Sequence, residues 1–350
     1  MRRWGQRSNG WLIWSALFAA SPALAHEVGV ELGGAASPAT ELSRPVHQVS
    51  VLANGVYELN DRWGVFGSAG YARELTERAD GSEMRPGHTA MFQLGADAMF
   101  NDRWLVHASL NGSYAHLRRA AIFTSTPRVA TLLYTENFAG GLNLVSSWLI
   151  AGDGPVDVTL DAAVAPGVYR VDQDLELANP ERVTRRCEAG ILPHKFCKRL
   201  LREQAMSGHV EWLSEAQLTA GATVTLLKNT DFSIRFSYFV YDRDPTEVGY
   251  FGLGDVGRES LGMGAPVMPY RFTLQPGITQ RWDHWALNLS FVWARGEGET
   301  GYTNAATLKV SYRFTNGARV FVRVTGQRQQ PQGGAEAWWG GLTLGMTDVL

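Results

Sequence analysis

From residue 104 to 116 the chain alternates without a break. Trp104, Val106, Ala108, Leu110, Gly112 and Tyr114 occupy one parity, and Leu105, His107, Ser109, Asn111 and Ser113 the other. Successive side chains of a strand point to opposite faces, so a period of two gives one apolar face and one largely polar face. The apolar row opens on an aromatic residue and closes on another ten positions later. At about 3.3 Å per residue and a tilt near 40°, such a row covers roughly 25 Å along a membrane normal, the height of the apolar band of a transmembrane barrel.

Other segments repeat the design. Trp285, Leu287, Leu289, Phe291 and Trp293 alternate with Ala286, Asn288, Ser290 and Val292, and Tyr270, Phe272, Leu274, Pro276 and Ile278 alternate with Arg271, Thr273, Gln275, Gly277 and Thr279. A water-soluble sandwich also alternates. Aromatics at both ends of the apolar rows point instead to a lipid slab with two interfaces. The candidate girdle is Trp63, Tyr71, Trp104, Tyr114, Phe138, Trp148, Trp285 and Trp293. Past the leader no run of some 18 apolar residues offers a membrane helix. With Lys+Arg 32 against Asp+Glu 34, the charge balance gives no support for nucleic-acid binding.

Residues 1 to 25 read as a secretory signal peptide. Arg2, Arg3 and Arg7 form a basic head, Trp11 to Ala20 an apolar core, and Ala23, Leu24 and Ala25 a small-residue cleavage site. The expected mature unit, 26 to 350, therefore folds in a compartment that permits disulfides, as in a Gram-negative cell envelope.

Short turn signals stand at Asn60 and Asp61, Asn101 and Asp102, Asp153 and Gly154, Asn229 to Asp231, Asp283 and His284, and Asn316 and Gly317. Between them lie longer polar connections near 76 to 87, 118 to 130, 172 to 212, 243 to 268, 296 to 302 and 327 to 335. Short and long alternate, as in barrels with tight periplasmic turns and larger outer loops. The tetrapeptide Asn-Asp-Arg-Trp occurs at 60 to 63 and again at 101 to 104, each time a turn followed by a girdle Trp. Strands readable from Val46 onward, with one more from Glu27 to Gly33, predict an all-β, up-and-down antiparallel transmembrane barrel of about fourteen strands, with twelve or sixteen as alternatives. The whole mature chain thus resembles bacterial outer-membrane β-barrels of the porin-like channel and outer-membrane transporter type. Its last strand, Trp338 to Met346, resembles the signal read by the outer-membrane assembly machinery, an implied partner. Only about twenty residues precede the second strand, which argues against an energy-coupled receptor with an N-terminal plug and against a fatty-acid-channel reading that depends on an inserted N-terminal hatch.

The strand phases aim Arg235, Arg243, Arg271, Arg281, Lys309, Arg313, Arg319 and Arg323 into the interior from the later strands. From the earlier ones they aim Glu27, Glu31, Glu58, Asp97, Asp157, Asp161 and Glu215. Two readings stay open: a water-filled pore with a transverse field, or a closed barrel whose charges pair. The connection 172 to 212 is expected to be an extracellular loop in which Cys187 and Cys197 form a disulfide. A metal site of Cys187, His194 and Cys197 is the sharper alternative, at a spacing that fits no common zinc pattern. Its basic residues, among them Arg185, Arg186 and Lys195, suit a constriction, a lipopolysaccharide contact or a solvated loop. His107 and Ser109, with Asn111 next in line, loosely resemble the His-x-Ser arrangement of lipid A deacylases. A scaffold barrel using the glycine-rich 243 to 268 loop is a further alternative.

The reading that combines these features is an outer-membrane channel for passive diffusion of small hydrophilic or amphipathic solutes. It is non-enzymatic, uses no cofactor or metal, is embedded among outer-membrane lipid and lipopolysaccharide, and is favoured as a monomer.

Overall fold

The computed structural model describes residues 27–37, 46–75, 87–101, 103–122, 130–151, 155–177, 180–191, 194, 197, 209–227, 229–245, 270–297, 301–330 and 337–348. The expected leader lies outside them.

Fourteen antiparallel strands form one closed barrel in chain order. They are β1 (Glu27–Ser37), β2 (Val46–Glu58), β3 (Trp63–Leu75), β4 (His88–Phe100), β5 (Trp104–Ile122), β6 (Ala130–Ala151) and β7 (Val156–Leu177), followed by β8 (His209–Leu226), β9 (Thr230–Tyr241), β10 (Tyr270–Arg281), β11 (Trp285–Gly296), β12 (Tyr302–Arg313), β13 (Arg319–Gln330) and β14 (Ala337–Asp348). A helix, α1 (Pro180–Glu188), lies between β7 and β8. The first and last strands pair from Val28 with Asp348 to Ala36 with Gly340, so the sheet has no free edge. Both β1 and β14 place their terminal ends beside the short turns, as an even strand number requires.

The turn chemistry explains the tight ends. Asn60 Oδ1 accepts from the backbone N–H groups of Arg62 (2.9 Å) and Trp63 (3.0 Å), so the side chain replaces a turn hydrogen bond and delivers Trp63 to the next strand. Asn101, in the repeated tetrapeptide, has a φ of 56°, a left-handed conformation that Asn tolerates.

Apolar side chains cover the outside rather than a core. Leu110 is 57% exposed, Leu94 55%, Leu289 47% and Val322 43%, whereas Ser109, on the other face of β5, is 2% exposed. This is the inverse of a soluble sandwich, and a lipid slab is the solvent that suits it. Tyr71, Ala90, Tyr114, Phe138, Arg170 and Trp212 are consecutive Cα neighbours across β3 to β8 and form the outer girdle there. Phe100, Trp104 and Trp148 are consecutive neighbours at the opposite border, and Trp104 Nε1 donates to Ser146 Oγ at 2.6 Å. One step beyond the outer girdle the exterior becomes charged: Arg73, His88, His116, Glu136 and Asp172 are again consecutive neighbours.

Three connections are shorter than expected: β13 runs to Gln330, inside the span 327 to 335, and two more give way to strand on one side of the barrel. Pairing of β5 with β6 continues to Ile122 and Ala130, and pairing of β7 with β8 continues to Gln173 and His209, so strand occupies ends of the spans 118 to 130 and 172 to 212. The alternation there fades because the ladder has left the lipid and both faces can carry polar residues. Hydrogen bonds between backbones continue regardless of side-chain polarity. These taller strands give the barrel one raised wall. Cys187 and Cys197 are joined by a disulfide in the connection between β7 and β8, with Cα atoms 5.6 Å apart.

Candidate functional site: the barrel interior

Fourteen strands about 4.8 Å apart and tilted near 40° enclose a backbone cylinder roughly 28 Å across. The interior is therefore the place where a solute could be handled. Because register is fixed all the way round, each inward residue has a defined neighbour on the next strand.

One inward row is polar through eight strands. Asp157, Thr225, Asp231, Thr279, Asn288, Lys309, Arg323 and Thr343 are successive Cα partners on β7 to β14. Several members bond directly. Thr225 donates to Asp231 at 2.9 Å and Asn288 to Thr279 at 2.7 Å, and Arg281 grips Asp231 with both terminal nitrogens. Arg323 Nη2 donates to Glu31 Oε2 at 2.6 Å, joining the row to the first strand. A second network crosses β3 to β5, where Gln93 donates to Ser109 at 2.9 Å and His107 Nδ1 lies 2.7 Å from Asp97 Oδ1. Phe66 stacks on that histidine with ring centroids 4.5 Å apart.

Toward the long connections the wall becomes aromatic. Phe239, Tyr270 and Ala294 form a buried cluster flanked by Tyr241 and Val292, and Val171 and Leu213 form another that also meets Tyr241. Tyr241 donates to the carbonyl of Tyr270 at 2.9 Å, and Tyr169 donates to Glu215 at 2.6 Å. The interior thus has an aromatic zone toward the long connections and a charged zone toward the short turns. Between them, Asn111 on β5 and Ser233 on β9 are on the inward parity and exposed.

The register places Glu31, Glu58, Asp97, Asp157, Asp161, Glu215, Arg235, Arg281, Lys309, Arg313, Arg319 and Arg323 on the inward face. Glu27 shares the parity of Glu31. Arg243 lies just past β9 and donates to Glu211 at 3.2 Å. Arg271 falls in the irregularity between Tyr270 and Phe272, where Tyr270 takes the inward position and Arg271 is left exposed as the extra residue. The two charged walls are stitched together at their borders: Glu31 with Arg323, Asp231 with Arg281, Glu211 with Arg243, and Asp161 facing Arg235 across Gly221. Sequence reading omitted Asp231 and Glu211. Asp231 reads as the last residue of the Asn229 to Asp231 turn and Glu211 falls in the span read as loop, although each shares the parity of its strand's other inward residues.

Trp63, Tyr71, Trp104, Phe138, Trp148, Trp285 and Trp293 are exposed on the outer face, and Tyr114 shares their parity. Their rows also contain Phe100, Trp212, Phe236, Phe272 and Tyr312, which sequence reading did not single out. Phe236 and Phe272 stack at 6.0 Å, and Phe272 meets Trp293 edge-on at 5.3 Å. His107 and Ser109 share the lumen face but are engaged by Asp97 and Gln93 respectively, with no hydrogen bond between the two. Among the described residues no group of three His, Cys, Asp or Glu side chains is arranged to hold a metal ion. His194 and Cys197 both belong to the helical turns after α1, and Cys197 is committed to the disulfide.

No protein-family model matches the chain, and no curated protein matches it by sequence. Solved structures do match in fold. The CymD monoaromatic hydrocarbon channel aligns over 93% of this chain and 88% of its own, with 10% identity and a TM-score of 0.53. The Pseudomonas putida toluene transporter TodX aligns over 94% and 89%, with 9% identity and a TM-score of 0.50. At such identities the likeness is one of fold. Together with the apolar exterior and its aromatic borders, it identifies the molecule as an outer-membrane β-barrel of the bacterial envelope.

Proposed function

We propose that this barrel is an outer-membrane channel through which small hydrophilic or amphipathic solutes diffuse passively. The observation that carries the reading is the division of the interior into an aromatic zone built on Phe239, Tyr241 and Tyr270 and a charged zone built on Lys309, Arg323 and Glu31, with exposed inward residues between. A solute with a small apolar body and a polar group finds a partner for each part. Hydrogen-bonding residues dominate the path between the two zones, and an interior of that kind is costly unless water or a solute occupies it. The fold neighbours are channels for toluene and related hydrocarbons, so toluene is the natural comparator.

Protein refolded into liposomes tests the reading. Uptake of p-cresol and of a small sugar should exceed that of protein-free vesicles, and planar bilayers should show unit conductance steps. Vesicles no leakier than protein-free controls, with no steps in bilayers, would favour the second reading, a closed structural barrel. The border ion pairs Glu31 with Arg323 and Asp231 with Arg281 favour that alternative.

A further inference from the structure

Several acids of the lumen are matched with a base: Glu31 is bonded to Arg323, Asp231 to Arg281, and Asp97 to His107. Glu215 on β8 is held differently. Its hydrogen-bond partners among the described residues are two phenols, Tyr169 on β7, which donates at 2.6 Å, and Tyr241 on β9. Tyr241 has one proton and two acceptors within reach, Glu215 and the backbone carbonyl of Tyr270 at 2.9 Å. An ionised carboxylate offers about four acceptor positions, so acceptors outnumber donors here. The arginines on the adjoining strand are engaged elsewhere. Arg243, two residues past Tyr241, is bonded to Glu211 at 3.2 Å, and Arg235 lies in the field of Asp161. A second carboxylate, Glu297 just past β11, stands within electrostatic range of Tyr241, as Glu215 does.

The wall beside this carboxylate is bare. Gly141, Gly167, Glu215 and Tyr241 are successive Cα partners on β6 to β9, so two strands present no side chain at that level. A Cβ at Gly167 would stand 3.9 Å from Glu215 Cγ and 3.8 Å from the Tyr169 hydroxyl, which places the open space at the edge of the acid. Apolar surface adjoins it. Tyr169 and Tyr241 pack on the cluster of Val171 and Leu213, and Tyr241 also packs on that of Phe239, Tyr270 and Ala294. Glu215, Tyr169 and Tyr241 are themselves half-buried, so each keeps access to the lumen.

A carboxylate set among aromatic rings with no cation bonded to it is costly. An anionic solute would raise that cost. An organic ammonium lowers it: the head brings three donors and a positive charge to a place rich in acceptors, and the apolar body meets tyrosine rings. We infer that Glu215, with Tyr169 and Tyr241, forms a binding subsite for the protonated amino group of a small primary amine with an apolar body, at the long-connection end of the lumen. This deepens the channel reading and rests on it for its role in transport, although binding itself needs no open pore.

Calorimetric titration of the barrel in non-ionic detergent at neutral pH, with benzylamine, benzyl alcohol and benzoate, tests the subsite without requiring conduction. Benzylamine, protonated at that pH, should bind the native protein more tightly than benzyl alcohol, and benzoate more weakly than either. E215Q keeps the size of the side chain and its contact with Tyr169 but removes the charge. It should weaken benzylamine by about ten-fold or more and leave benzyl alcohol unchanged. Native protein that binds benzylamine no better than benzyl alcohol overturns the inference, whether or not E215Q folds. Undiminished benzylamine binding by an E215Q barrel with the native strand spectrum and unfolding temperature overturns it as well. Liposomes separate this outcome from failure of the channel reading. Uptake of a small sugar without preferential benzylamine binding sinks the subsite and spares the pore, whereas benzylamine binding that E215Q weakens, in a barrel that admits no sugar, does the reverse.

Discussion

Arg323 on β13 reaches over β14 to bind Glu31 on β1, 292 residues earlier in the chain, with its Nη2 2.6 Å from Glu31 Oε2. Glu31 is 2% exposed, so the contact is a buried ion pair placed at the seam where the barrel closes. Breaking such a pair from one side leaves an uncompensated charge. Arg323→Ala should therefore destabilise the barrel by about 3–5 kcal/mol. The double variant E31Q/R323Q should recover much of that loss, as read from urea unfolding of refolded protein. Equal stability of the single and double variants would contradict a direct coupling between the two residues.

Leu110 and Asn111 are adjacent on β5 but belong to different solvents. Leu110→Arg puts a charge in the lipid band and should cost about 2–4 kcal/mol near the bilayer midplane. Asn111→Arg should fold normally and alter single-channel conductance. The contrast in folding efficiency into lipid vesicles measures which face meets hydrocarbon. Similar losses for both variants would argue that Asn111 is not in an aqueous lumen.

Gly345 is the space into which Phe321 fits. A Cβ there would lie 2.2 Å from the ring, with only side-chain atoms in the way. Gly345→Ala should lower stability by roughly 1–3 kcal/mol through overpacking. Adding Phe321→Leu should restore part of the loss in the same unfolding assay.

The disulfide between Cys187 and Cys197 closes a loop with a sequence separation of 10 on the raised side of the barrel. It constrains that loop and not the strand ladder. The double variant C187S/C197S should keep the native barrel's unfolding temperature within a few degrees while the segment around residues 188 to 198 becomes more sensitive to protease. A large fall in barrel stability would show that the loop contributes to the wall.

Ser109 is 2% exposed and accepts from Gln93 at 2.9 Å. If transport is the activity, Ser109→Ala should leave conductance unchanged. A lipid deacylase activity that the wild type possesses and the variant loses would restore the hydrolase reading.

Strand identity, strand parity and the positions of the tight turns were legible in the sequence because each is a local property. Trp104 to Tyr114 shows its two faces by alternation alone, and Asn60 shapes its turn through its own side chain. The girdle was only half legible. Trp212 and Tyr312 complete it through cross-strand register, which a single segment does not carry. Strand ends beyond the girdle were hidden because alternation reports a difference between two solvents, and past Glu136 and Asp172 water bathes both faces. Chain order alone could divide the interior charges into an acidic and a basic half. The tertiary structure decided which of them meet: Glu31 with Arg323 through closure of the barrel, Asp231 with Arg281 through the register of β9 on β10, and Lys309 opposite Arg323 through the register of β12 on β13. Periodicity fixes the direction of a side chain relative to its own strand. Its neighbour is fixed by the shear and closure of the whole sheet, a property of all fourteen strands together.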